Sequence, residues 1–210
     1  MFKDSLYFIK KKRILLSRFL VVLITAIFIF TDHSWKDEFY HFIIFQSIGG
    51  FLVAFCILGR LWSALYIAGN KTKNLISEGP YSMVRNPLYF FSFFGAVGLG
   101  LTTENLLILF LIVVLFIIYY PFVIIGEEKR LIEVHGEEFL DYMKHVPRFI
   151  PNPFKLKEPE FYNVNVKKYK IAFVDAMGFF SIYICVQIVN ILHAAKVIPA
   201  YFSIPKCFFS

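Results

Sequence analysis

Residues 105–125 read NLLILFLIVVLFIIYYPFVII, an uninterrupted run without a charged side chain. A helix needs about 17–25 mostly apolar residues to cross roughly 30 Å of hydrocarbon. The run therefore predicts a membrane-spanning helix, with Pro121 expected to kink its last turn.

Four further apolar runs predict spans of the same kind, at 14–30, 42–68, 88–101 and 171–192. The first follows the basic stretch Lys10 to Arg13 and lacks a small-residue cleavage site after it, so we interpret it as a retained anchor. Hydrophobic residues make up 58% of the chain and charged residues 18%, which excludes a disordered chain and disfavours a soluble globule. The sequence predicts an all-α polytopic membrane protein, a single domain over 1–210 with about five transmembrane helices.

The basic residues are concentrated in alternate connections, namely the N-terminal tail, 69–87 and 126–170. The positive-inside rule places these segments, and the N-terminus, in the cytoplasm. Topology and anionic lipids account for the net charge of +7, so nucleic acid is not an expected partner. We expect membrane lipids as partners. We expect the protein to be located in a bacterial inner membrane rather than in the endoplasmic reticulum. The oligomeric state is left open.

The three cysteines show no metal-binding spacing, and no metal site is predicted.

The first cytoplasmic candidate segment is 73–89, KNLISEGPYSMVRNPLY. Gly79 and Pro80 indicate a turn, while Asn86 and Pro87 indicate the start of a helix. The free N–H groups of that helix start, together with Arg85, suit a carboxylate or phosphate. An ordinary surface loop is the competing interpretation.

The second candidate segment follows the fourth span and begins with Glu127 and Glu128. Apolar residues recur at helical spacing among its charges, which predicts cytoplasmic interfacial helices broken near Gly136. A carboxylate at the membrane boundary is costly unless it is solvated or has a partner. The competing interpretation is a solvated helix end.

Four features follow one another along the chain: GPYSMVRNPLY at 79–89, a hydrophobic hairpin, EEKRL at 127–131 and HGEEFLDYMKHVPRFIP at 135–151. Together they resemble the pattern of the isoprenylcysteine carboxyl methyltransferase family. That family belongs to a wider group that includes the phospholipid N-methyltransferases. The resemblance covers 73–151 and implies a methyltransferase core there, with S-adenosylmethionine bound between the two segments near the cytoplasmic surface. It implies a lipophilic small-molecule or lipidated substrate that enters from the bilayer. The helix and tail over 171–210 are additional to the family pattern.

The resemblance assigns cofactor contacts by position. They are Lys73, Asn74, Leu75, Ile76, Tyr81, Asn86, Pro87, Leu88, Tyr89 and Glu127. It assigns catalytic roles to Arg85 and Glu128. Asn86 stands where the family has histidine. Val123 stands where eukaryotic members have an arginine that meets the substrate carboxylate.

Three other functions remain open. One is a phospholipid N-methyltransferase, whose amine acceptor must be neutral, so that Glu128, His135 or His145 becomes a possible base. A second is an NADPH-dependent membrane reductase. A third is a non-catalytic scaffold or transporter subunit, motivated by Asp175 within the fifth apolar run.

Overall fold

The computed structural model describes residues 22–32, 39–68, 74–198 and 202–203. Helix α1 is seen over residues 22–30, the described part of the first apolar run. The other helices are α2 (Phe39–Ile67), α3 (Pro80–Met83), α4 (Pro87–Thr102), α5 (Leu106–His135), α6 (Glu137–His145) and α7 (Val166–Ala194), with a 3-10 turn at Pro153–Lys155. Strands β1 (Thr31–Asp32) and β2 (Phe202–Ser203) form a short parallel pair.

Three of these helices, α2, α5 and α7, are long and apolar enough to cross a membrane. Helix α4 is apolar but shorter, with 16 residues. The prediction of an all-α membrane protein is confirmed. Four of the five predicted runs correspond to α2, α4, α5 and α7, whereas most of the first run lies outside the described residues.

Helices α2 and α4 make the most extensive contact in the structure. Glycines on both helices allow it, since a Cβ on Gly98 would lie 2.7 Å from the carbonyl oxygen of Gly49. A Cβ on Gly95 would lie 2.5 Å from the Cys56 sulfur. The glycines of α4 therefore serve close helix packing.

The predicted hairpin between α4 and α5 is also confirmed. Helix α4 ends at Thr102, and Asn105 caps α5 by accepting hydrogen bonds from the amides of Leu107 and Ile108. Polar side chains from α2 and α7 gather at this end of the bundle: Gln46 donates to Glu104, and Gln187 donates to Gln46. These bonds satisfy polar groups that apolar helices carry into the membrane region.

The opposite end of the bundle differs from the prediction in one respect. Helix α5 does not end near Ile125 but continues through Pro121 and both glutamates as far as His135. The break falls at Gly136, as predicted, where φ is +55°. Glu127 and Glu128 are therefore held by a rigid helix rather than by a flexible connection.

Candidate active site

The segment after α2 is shaped by a glycine and two prolines. Gly79 has φ +57°, a conformation that favours glycine, and Pro80 begins the short helix α3. Pro87 then begins α4, as predicted, with Asn86 as the preceding cap residue. The Asn86 side chain does not cap the helix and instead donates to the carbonyl of Arg148.

Residues 146–157, which we call the strap, cross over this segment. The amide of Arg85 donates to the carbonyl of Pro147, and the amide of Asn152 donates to that of Met83. Gly79 and Lys157 form an isolated antiparallel bridge. The strap thereby fixes the position of α3 and of the first turn of α4.

Helix α6 packs beneath the same segment. Its Phe139 and Tyr142 form a buried cluster with Val146, and Leu75 packs against that cluster. The Tyr142 hydroxyl donates to the carbonyl of Tyr81 at 2.7 Å. Burial raises the pKa of both the Tyr81 and the Tyr142 hydroxyl, so both groups stay protonated.

These elements enclose one large cavity, of about 890 Å³ with the space at its open mouth included. It is lined by residues of α2, the 74–89 segment, α5 and α6: Arg60, Ile67, Asn74, Leu75, Ile76, Tyr81, Arg85, Asn86, Pro87, Leu88, Tyr89, Glu127, Leu131, His135, Phe139 and Tyr142. The lining combines aromatic faces, two cations and one carboxylate, as small-molecule sites do.

Glu127 is the carboxylate that faces this cavity. Its Oε2 accepts a hydrogen bond from the Tyr89 hydroxyl at 2.7 Å. Since an ionised carboxylate has about four acceptor positions, this bond leaves acceptor capacity for ligand hydroxyl or ammonium groups.

Glu128 is not part of the cavity lining and is almost completely buried. Arg148 contacts both of its carboxylate oxygens, at 2.9 to 3.2 Å, and Arg85 Nη1 lies 3.1 Å from Oε1. A catalytic role for Glu128 was predicted from the resemblance. The geometry favours a positioning role, because Glu128 holds Arg85 beside the cavity.

Four cavity-lining side chains have buried polar atoms without a hydrogen-bond partner among the described residues. The atoms are Arg60 Nε, the Tyr81 hydroxyl, Arg85 Nε and His135 Nε2. Arg85 Nη1 also has no hydrogen bond of suitable geometry, although its ion pair with Glu128 is close. Leaving such groups unpaired costs about 1–3 kcal/mol each, so the site is suited to a ligand with matching polar atoms.

Nine of the ten residues predicted to contact the cofactor line this cavity, and the tenth, Lys73, lies outside the described residues. Arg85, predicted as catalytic, also lines it. Of the possible bases, His135 faces the cavity, whereas His145 is exposed and lies next to Asp141. Asp175 is exposed on α7. Within the described residues, no group of three or more His, Cys, Asp or Glu side chains is arranged to hold a metal ion.

Comparison with known proteins gives a consistent assignment. A family model described as phospholipid methyltransferase matches residues 45–138. The chain is 34% identical to the nickel-cobalt-cadmium resistance protein NccN of Alcaligenes xylosoxydans xylosoxydans, over 88% of this chain and 86% of that protein. It is 30% identical to the cobalt-zinc-cadmium resistance protein CzcN of Cupriavidus metallidurans, over 92% of this chain and 88% of that protein. The chain belongs to the same protein family as NccN and CzcN, and its segment 45–138 is similar to the phospholipid methyltransferase family. No solved structure matches it.

The predicted set of cofactor contacts missed several residues that complete the cavity lining. Leu131 and His135, the latter predicted only as a possible base, follow Glu127 at intervals of four residues and therefore share its face of α5, a signal the sequence did contain. Phe139 and Tyr142 of α6 have no such signal. Arg148, in the quoted motif but without an assigned role, is the bidentate partner of Glu128.

Proposed function

We propose that this protein is an S-adenosylmethionine-dependent methyltransferase that acts on a lipophilic acceptor at the cytoplasmic face of a bacterial membrane. The observation that carries the proposal is the convergence of nine sequence-predicted cofactor residues on one cavity. The family assignment supports the reaction class.

The residues present suit S-adenosylmethionine, which supplies a methyl group already activated on a sulfonium. Arg85, with an unpartnered Nε, would take the cofactor carboxylate. Glu127 would accept hydrogen bonds from its ribose hydroxyls or ammonium group. Tyr81 and Tyr89 provide aromatic faces for adenine or for the cationic sulfur region.

With the methyl group already activated, the protein mainly aligns the reacting groups and excludes water. Phe139 and Tyr142 of α6 serve this purpose as part of the cavity lining, and the strap holds the segment with Arg85 in place by backbone hydrogen bonds. His135 Nε2 is the unpartnered side-chain nitrogen in the cavity that is able to accept a proton from an amine acceptor.

The proposal is tested by binding S-adenosylhomocysteine to the purified protein in a neutral detergent, followed by calorimetry. We expect saturable binding by the wild type and at least about tenfold weaker binding by Glu127→Gln, since hydrogen bonds to a charged group contribute about 1.5–3 kcal/mol. Glu133→Gln removes an exposed carboxylate from the same helix and should bind like the wild type. Preferential binding of NADPH would support the reductase alternative and contradict the proposal.

The phospholipid methyltransferase model favours an amine of a phospholipid as one candidate acceptor. Incubation of membranes with methyl-labelled S-adenosylmethionine would distinguish methylation of such an amine from formation of a methyl ester. Base-stable label in the lipid phase supports methylation of an amine, while base-labile label supports a methyl ester.

The named functions of NccN and CzcN support a role in metal resistance. We infer that methylation by this protein contributes to tolerance of nickel, cobalt or cadmium. A deletion strain of the host would then grow poorly on these salts and regain growth with the wild-type gene but not with Glu127→Gln. If Glu127→Gln restored growth, the resistance role would not depend on the cavity.

A further inference from the structure

Arg60 is the second cation of the cavity and lies deep along α2. It precedes Ile67, at the end of the helix, by seven residues, which corresponds to about 10 Å of helix. Both residues line the cavity, so the space extends from the cytoplasmic end of α2 toward the membrane interior. A charged side chain at such a position is costly and calls for a partner.

The described residues satisfy this guanidinium only in part. Arg60 Nη1 donates to the Ser92 hydroxyl at 2.6 Å, and the charged group lies 5.4 Å from the centre of the Phe179 ring. Arg60 Nε is buried and has no hydrogen-bond partner. Arginine carries five N–H donors, and no carboxylate of the described residues forms an ion pair with this one.

The two cations of the cavity are therefore unlike. Arg85 forms an ion pair with Glu128, which Arg148 shares, whereas Arg60 forms no ion pair with an acid of the described residues. The described lining carries one carboxylate, Glu127, against the two arginines, and under the proposed function, on which this step rests, the cavity also receives a cofactor with a cationic sulfur. An additional anion near Arg60 would offset this excess of positive charge.

We propose that Arg60 forms an anion-binding subsite at the membrane end of the cavity, which holds the acidic group of an amphiphilic acceptor. The anion is a carboxylate or a phosphate, and the apolar part of the acceptor extends between the helices into the bilayer.

The test uses the full-length protein in a neutral detergent, saturated with S-adenosylhomocysteine. Binding of tritiated oleate is measured and competed with dodecyl phosphate or with uncharged oleyl alcohol. We expect saturable binding of labelled oleate that unlabelled oleate or dodecyl phosphate reduces and oleyl alcohol does not. The relative strength of oleate and dodecyl phosphate distinguishes a fatty-acid-like acceptor from a phospholipid-like one.

Variants locate the subsite. Arg60→Gln should weaken oleate binding at least tenfold and change S-adenosylhomocysteine affinity less than twofold. Arg60→Lys, which keeps the charge, should recover part of the binding. Ser92→Ala removes the internal hydrogen bond and keeps the cation, so it should retain anion preference. Arg130→Gln, which removes an exposed charge from α5, is the matched control.

The proposed subsite would be overturned if Arg60→Gln bound oleate as tightly as the wild type does. It would also be overturned if oleyl alcohol competed as well as dodecyl phosphate. An equal loss in Arg60→Gln and Ser92→Ala would overturn it as well, because Arg60 would then only join α2 to α4. Failure of the wild type to bind S-adenosylhomocysteine at all contradicts the proposed function instead.

Discussion

Adjacent glutamates in α5 have different environments because neighbouring positions on a helix point about 100° apart. Glu127 faces the cavity and accepts a hydrogen bond from Tyr89, whereas Glu128 lies behind it between two arginines. The pair is therefore one group that faces the cavity and one group that fixes Arg85. The sequence shows two equivalent acids, and only their placement in three dimensions separates the two roles.

Glu128→Gln tests the positioning role. The substitution keeps the shape of the side chain and removes the charge that neutralises the largely buried Arg85, whose side chain is 10% exposed. Removal of one partner from a buried ion pair costs about 3–5 kcal/mol. We therefore expect a free energy of unfolding lower by about 3 kcal/mol, measured by reversible unfolding in mixed micelles.

Lys144→Ala is the control for Glu128→Gln. Lys144 pairs with Asp141 on the surface of α6, and both side chains are more than half exposed. Exposed pairs contribute at most about 1 kcal/mol, so this variant should unfold like the wild type. Equal stability of Glu128→Gln and Lys144→Ala would show that the arginines do not depend on Glu128.

Among the structural elements, the contact between α2 and α4 positions the cavity walls. Gly98 and Gly49 bring the two backbones together, and the Phe91 ring on α4 lies where a side chain at Gly59 would stand. Closer to the cavity end of the bundle, the same two helices carry Arg60, Ile67, Leu88 and Tyr89 into the cavity. The spacing of these four residues thus depends on a glycine contact farther along the helices.

Gly98→Ala is expected to disrupt this contact. Its Cβ would lie 2.7 Å from the Gly49 carbonyl oxygen, a backbone atom that has little freedom to move. Such overpacking costs about 1–3 kcal/mol and would also weaken S-adenosylhomocysteine binding by displacing α4. Gly178→Ala is the matched control, since nothing lies within 4 Å of its added methyl group and alanine favours helix by up to about 1 kcal/mol. Stability of Gly98→Ala equal to that of Gly178→Ala would contradict a tight contact.

For the whole molecule, the apolar runs were sufficient to predict the helical architecture and the hairpin at Thr103. The motif resemblance was sufficient to predict most of the cavity lining on the 74–89 segment. Neither predicted that α5 continues without interruption as far as His135, because the charged residues after Ile125 indicated a separate interfacial helix. Arg60 precedes the motifs at 73–151, so the resemblance assigned it no role. Its place in the cavity depends on how α2, α4 and α7 pack together, which sequence periodicity does not show.

The orientation of the whole molecule in the membrane follows from which end of the bundle carries the basic residues. Helix connectivity places the cavity, the strap and the N-terminus of α7 at one end of the bundle, and the Thr103 turn and the C-terminus of α7 at the other. The basic residues at 126–170 favour a cytoplasmic location for the cavity end. In a background with the native cysteines replaced by serine, Lys157→Cys should resist a membrane-impermeant maleimide in intact cells and react in inverted vesicles. Ala195→Cys, exposed at the other end, should show the opposite pattern. Labelling of Lys157→Cys in intact cells would place the cavity outside the cytoplasm, away from the cellular supply of S-adenosylmethionine, and would contradict both the topology and the proposed reaction.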